Sequence, residues 1–235
     1  MPDIDLESCR TAALAMPDRT RQIRIALQWQ RAMADPLRFA ELFCWTLDVH
    51  HEAKPIRPFP FSAPHIPILT RLWQHRLPRL LSVRKSRQMY ITWWGSMISL
   101  WSGLRPGNLI MLQSKKLEDA IGNEATGDGQ LGRAKFLLHH IPKSVGLIEG
   151  RDYVITSARI VFPRWNSALQ ATPQGGDTMR AHTASGIWSD ESHFQDQFSD
   201  AYASIMPCIR GGGWFLSTST ANLGAANDLH DDKST

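Results

Sequence analysis

Within residues 20–34, Ile23, Leu27 and Ala34 recur at helical spacing between polar positions, which predicts an amphipathic helix. A second short helix is predicted over residues 36–45, with Pro36 in its first turn. The pattern changes at a proline cluster over residues 55–67, which divides an N-terminal helical segment (1–54) from a core (55–235). Downstream, short apolar runs alternate with helical stretches. The run 80–83 predicts a strand that ends in a charged turn, Arg84, Lys85, Ser86, Arg87 and Gln88, followed by a Trp-rich helix. Residues 108–112 predict a second strand, opening into Ser114, Lys115, Lys116 and a helix through Ala120; residues 153–156 and 159–162 read as a hairpin. A weaker strand, 186–189, ends at Asp190-Glu191, and another, 214–217, ends at Thr218, Ser219 and Thr220. Strands that alternate with helices and release polar residues at their C-terminal ends predict an α/β fold. Its mostly parallel sheet is flanked by helices and carries its ligand site along that edge.

Composition narrows the class. With 235 residues, 43% of them hydrophobic, the chain can bury one sizeable core and is no disordered tail. Its formal net charge of +4 leans toward polyanionic partners without the dense tracts of a nucleic-acid coat. Cys9, Cys44 and Cys208 are odd in number and form no CxxC pair, which argues against disulfides or a thiolate zinc site and fits a reducing cytosol. The pairs His50-His51 and His139-His140 lack metal-ligand spacing. The uncharged run 88–104 carries serines, a threonine and glycines, so it reads as a buried helix rather than a membrane span, and its Trp93, Trp94 and Trp101 read as core rather than as a base-stacking platform. The acidic N-terminus shows no secretion signal.

Three stretches carry candidate chemistry. The junction LLSVRKSRQMYITWWG places Lys85, Arg87 and Thr92 where a helix begins, a set suited to a polyphosphate and its magnesium ion. It has no glycine before Gly95, so the common GxxxxGK[ST] pattern fails, and a solvated basic turn is the other reading. In GIWSDESHF the adjacent carboxylates Asp190 and Glu191 point in alternate directions off a strand, so they can hold a metal and polarise a water; two acids in a turn are otherwise merely solvated. In GGGWFLSTSTANL an apolar strand ends in hydroxyl and amide side chains able to touch a γ-phosphate, or simply to cap the strand as an ST-turn.

In their order these stretches resemble the ATPase domain of the large terminase subunit of tailed bacteriophages, a P-loop NTPase-like (ASCE-type) motor that pumps DNA into a procapsid. Lys85 to Trp93, KSRQMYITW, is similar to that family's nucleotide loop, in which the lysine is shifted to the start. FCWTLD and PFPFSAPHIPIL resemble its adenine-side segment, with His65 where a glutamine is usual; Gln113 to Lys116 resemble the motif after the second strand. Residues 165–173 and 177–180 resemble the approach to the acidic pair, and Ser219, Thr220 and Asn222 resemble the coupling motif. The likeness spans roughly residues 39–229. Tyr90 departs from it, standing where the family has glycine and where a side chain crowds the phosphates or strains the backbone.

The resemblance implies ATP and Mg2+ as ligands. Lys85, Ser86, Arg87, Gln88, Thr92 and His65 would bind nucleotide, with Lys85 on the β and γ phosphates and Arg87 assisting. Thr92 and Asp190 would hold the metal, and Glu191 would orient water. Arg180 and Arg210 become candidates for a finger acting on a neighbouring subunit, or are ordinary surface arginines. Arg71, Arg76 and Arg79 are candidates for DNA contact. Double-stranded DNA, the portal protein, the small terminase subunit and further copies in a ring are the implied partners, in the host bacterial cytoplasm and away from membranes. The family's nuclease domain is not expected here, nor its activity. The alternatives are a degenerate remnant acting as a non-catalytic assembly or DNA-binding module, and a helicase-like translocase.

Overall fold

A computed structural model describes residues 18–48, 53–75, 80–86, 89–180 and 182–220. The described residues begin with helices α1 (Asp18–Ala34) and α2 (Pro36–Phe43). Between them Asp35 is extended and accepts a hydrogen bond from the Leu37 N–H at 3.0 Å, while Pro36 fills a first-turn position that needs no donor. The helix α2 buries Phe39, Ala40 and Phe43, and Trp29 of α1 packs edge-on against both phenylalanine rings. It stops at Phe43, short of the boundary expected from the pattern, because Trp45–Leu47 (β1) instead pairs antiparallel with Ile56–Pro58 (β2). The proline-rich stretch is therefore structured: it supplies β2 and the helix α3 (His65–His75).

The central sheet comprises β3 (Leu80–Lys85), β4 (Leu109–Gln113), β5 (Val154–Ile155), β6 (Arg159–Phe162), β7 (Ser167–Thr172), β8 (Gly186–Asp190) and β9 (Trp214–Thr220). Their order is β3-β9-β8-β4-β7-β6-β5, parallel from β3 through β7 and antiparallel at the β6 and β5 edge. Helix α4 (Ile91–Gly103) lies in the core on one face of this sheet, packed against α6 (Gln130–His139); the shorter α5 (Leu117–Ile121) and α7 (Gly176–Arg180) and the longer α8 (Phe198–Arg210) complete the layers. The mostly parallel α/β architecture is the one the alternating pattern predicts.

Two corrections follow from the ladder. Arg84 and Lys85 are the last residues of β3, paired with Ser219 and Thr220, rather than part of a turn. Ser219 and Thr220 likewise belong to β9 itself and do not form an ST-turn after it. Extending both strands carries their polar side chains along the sheet edge on fixed backbone, which places them more rigidly than a loop would.

Helix α4 is buried all round, so its apolar residues cannot be sorted into a stripe. Trp93, Trp94 and Trp101 are core residues, and two of their indole N–H groups find partners: Trp94 donates to Thr70 Oγ1 and Trp101 to the Ala32 carbonyl, both at 2.9 Å. At Gly95 the helix meets the Trp188 ring of β8 so closely that a Cβ would sit 2.4 Å from it. This contact seats the helix directly against the strand that ends in the acidic pair. Among the described residues no helix is long and apolar enough to cross a membrane.

Candidate nucleotide site

Lys85 and Glu191 are 106 positions apart in sequence, yet Lys85 meets the acidic pair at the C-terminal edge of the sheet. Lys85 Nζ lies 2.8 Å from Glu191 Oε1 and 3.7 Å from Asp190 Oδ1. They reach each other across β9, which pairs with β3 on one side, Lys85 opposite Thr220, and with β8 on the other, Asp190 opposite Thr218.

The two acids are held differently, Asp190 at the end of β8 and Glu191 in the turn beyond it. Asp190 is buried, and its Oδ1 accepts from Thr218 Oγ1 at 2.6 Å and from the Glu191 N–H at 3.0 Å. Thr218 in turn accepts from Trp188 Nε1 at 2.8 Å, so the aspartate is oriented by a chain reaching into the core. Glu191 turns out of the strand in a left-handed conformation, φ 50°, that redirects its side chain toward Lys85 and the end of β9. Its Oε2 accepts from the Thr220 N–H at 3.2 Å, from Thr220 Oγ1 at 3.1 Å and from Ser219 Oγ at 3.4 Å. Burial alone would raise the Glu191 pKa. The hydrogen bond and charge of Lys85, with the two donors of Thr220, outweigh it and hold the carboxyl below the ordinary glutamate value.

The loop between β3 and α4 carries a second left-handed residue. Tyr90 has φ 55° and ψ 13°, a conformation glycine adopts freely and tyrosine only at a cost of about 1–2 kcal/mol. Its carbonyl accepts from the Trp94 N–H at 2.8 Å, so this strained residue begins the helical ladder. His65, at the start of α3, places Nε2 3.0 Å from the Met89 carbonyl and thereby ties α3 to the same loop. Thr92, in the first turn of α4, shares a cavity of about 400 Å³ with Ser114, Arg133, Asp190 and Glu191. Thr92 and Asp190 offer hard oxygen donors of the kind that bind magnesium together with phosphate and water, so the residues present fit that ion. Among the described residues no cluster of three or more His, Cys, Asp or Glu side chains could hold a metal without such help.

Ser86 follows β3 directly, whereas Arg87, Gln88 and Asn222 lie outside the described residues, as do Arg76 and Arg79. Arg71 pairs with Asp35 at 2.9 Å. Arg180 and Arg210 are not brought to the site. Arg180 pairs with Asp177 and Asp200, at 2.9 and 2.5 Å, and lines a separate cavity of about 750 Å³ at the N-terminal ends of β4, β8 and β9; Arg210 ends α8 beside Gly211 of that same wall. Sequence reasoning missed Arg133, which falls in a helix that the hydrophobic pattern did not reveal.

A parallel sheet in which one strand, β9, separates a basic strand end from an acidic one, with a buried helix leaving the basic end, is a P-loop NTPase-like fold. Among solved structures, the chain shares the fold of the HK97 bacteriophage large terminase, with a TM-score of 0.56 and 18% identity over 83% of this chain. It spans 38% of that protein's length. Two structures of the Thermus phage P74-26 large terminase ATPase domain, one of them a mutant, are also similar, at TM-scores of 0.45 and 0.46 and identities of 16% and 15%, over 61% and 68% of this chain and 59% and 65% of theirs. No family model and no curated protein matches the sequence.

Proposed function

We propose that the chain is the ATP-hydrolysing motor domain of a phage large terminase, coupling hydrolysis to movement of double-stranded DNA into a procapsid. The observation that carries this reading is the meeting of Lys85 with Asp190 and Glu191 on either side of β9. In this reading Lys85 leaves Glu191 to neutralise the β and γ phosphates, with Ser86, Arg87, Gln88 and the His65-tethered loop completing the cradle. Thr92 and Asp190 hold Mg2+, which supplies charge neutralisation at the phosphates. Glu191, released by Lys85, takes a proton from the attacking water, and its bonds to Ser219 and Thr220 pass the change to β9 and on to Asn222. Arg180 or Arg210, both away from this chain's own site, acts on the nucleotide of a neighbouring copy in a ring. The portal protein and small terminase subunit are the partners such a motor engages, in the cytoplasm of an infected or lysogenic bacterium.

A second reading, a non-catalytic assembly or DNA-binding module of the same fold, is favoured by Tyr90, whose side chain and strained backbone occupy the loop that must receive phosphate. Turnover of ATP by the full chain, with and without procapsids, separates the two. The motor reading expects hydrolysis that Glu191→Gln and Lys85→Ala abolish. Phosphate release at the same rate in Glu191→Gln would sink the motor reading, and no release above background by the unaltered chain would favour the module.

A further inference from the structure

The cavity beside the acidic pair contains a cation that the roles above do not use. Arg133 lies one turn into α6, and the start of that helix is fixed on both sides. Gln130 donates to the Trp188 carbonyl of β8 at 3.0 Å, and its own carbonyl accepts from Ser96 of α4 at 2.9 Å. Before it, Gly122 and Gly129 approach so closely that a Cβ on either would sit 2.4 Å from backbone atoms of the other glycine, or nearer still to Asp128 from Gly122. Asn123 and Asp128 close this loop with two reciprocal backbone hydrogen bonds, at 3.1 and 2.9 Å. The loop and the double attachment set Arg133 into the wall that Thr92, Asp190 and Glu191 complete.

The surroundings of Arg133 leave its donors underused. The guanidinium sits over the Trp93 ring, 5.5 Å from its centroid, and donates from Nη1 to the Gly129 carbonyl at 3.1 Å. Its Nε–H is buried without a hydrogen-bond partner, and among the described residues it forms no ion pair. Burial disfavours the charged guanidinium, while Asp190 and Asp128 nearby favour it, with burial the larger effect. A planar cation with a spare donor, in the wall of a cavity shared with the hydroxyls of Thr92 and Ser114 and the carboxylates of Glu118, Asp119, Asp128, Asp190 and Glu191, has the fork with which arginine recognises phosphate oxygens.

We propose that Arg133 contacts the terminal phosphate of a nucleoside triphosphate bound between Lys85 and the acidic pair, and so distinguishes triphosphate from diphosphate. This rests on the nucleotide reading of the site. A purely structural arginine, packed on Trp93 and capping the turn at Gly129, would affect both nucleotides alike.

The test is the ratio of dissociation constants for Mg·ADP and Mg·ATPγS, measured by calorimetry on the full chain and on Arg133→Gln and Arg133→Lys, with circular dichroism to confirm the fold. Arg133→Gln is expected to weaken ATPγS about tenfold relative to ADP, the scale of a charge-assisted hydrogen bond. Arg133→Lys, which keeps the charge and the stem over Trp93 but loses the fork, is expected to reduce the preference about threefold, and it decides the question where the glutamine variant does not fold. Equal weakening of both nucleotides, or an unchanged ratio, overturns the proposal while leaving the nucleotide site standing. Failure of the unaltered chain to bind either nucleotide overturns both.

Discussion

The two edges of the central sheet are built from the same strands and have opposite chemistry. At the C-terminal edge, strands end in Lys85, Asp190, Ser219 and Thr220, and two non-glycine residues, Tyr90 and Glu191, take left-handed backbone conformations. At the N-terminal edge the strands begin at Gly186 and Trp214, beside the indoles of Trp73 and Trp101, which pack edge-on 5.9 Å apart, with Trp214 5.5 Å from Trp73. Both edges hold a cavity, but one has ionisable groups linked across strands and the other has aromatic packing fringed by arginines. Strain and buried charge persist only where the surrounding structure overdetermines them. Two of the three left-handed non-glycine residues among those described flank the linked ionisable groups, while the third, Asn166, and the buried Asp152, paired with Arg151, lie at the opposite edge, before β7 and β5. Fold stability and candidate chemistry are thus largely separated along the strand direction.

Substitutions at the two edges should therefore have different consequences. The largest expected effect is on turnover: Glu191→Gln should lower the ATP hydrolysis rate by about 10²–10⁴-fold, the range for loss of a general base, while leaving the melting profile close to that of the parent chain. Next, Gly186→Ala at the opposite edge places a Cβ 2.1 Å from the Trp214 ring. It should destabilise the fold by about 1–3 kcal/mol in urea titrations while nucleotide affinity of the folded fraction stays unchanged; a large loss of affinity would break the separation. Tyr90→Gly removes a left-handed tyrosine and should relieve about 1–2 kcal/mol of backbone strain, seen as tighter nucleotide binding by calorimetry.

The smallest effect is one of pH. Because the folded-state pKa of Glu191 is depressed, its contribution to stability is full above the ordinary glutamate value of 4.5 and is lost as pH falls through the lower folded value. The stability difference between the parent chain and Glu191→Gln should shrink over that acid range in urea titrations. Glu191 is partly exposed, so solvent screening keeps this contribution small.

The strand ends that bear charge were largely legible in the sequence because an apolar run that stops abruptly marks where a buried strand leaves the core, although the pattern ended β3 at Val83, two residues before Lys85. The sheet's interior was harder to read. Strand β7, SALQAT, is nearly all buried yet carries only one large aliphatic residue, Leu169, which packs so close to Gly103 that a Cβ there would sit 2.1 Å away. Helix α6 was hidden by Gln130, Gly132 and Arg133 on its buried faces: their roles are a strand carbonyl, a close pass at Asn123 and a cavity wall, none of which leaves an apolar period. Helix α8 carries Pro207 inside it, a residue that reads as a breaker although it sits in the last turn. The left-handed backbone at Tyr90 was foreseeable from the glycine it replaces in the resembling family. That at Glu191 was not, since nothing local marks an acid for such a turn.

One consequence follows from the interposed strand. Lys85 and Asp190 belong to strands that are second neighbours, so the gap between them is about 9.5 Å of backbone, fixed by two hydrogen-bonded ladders rather than by loop conformation. That interval serves as a ruler: loops on either side can drift in sequence without altering the width offered to whatever enters, and only a change in the middle rung, β9, recalibrates it.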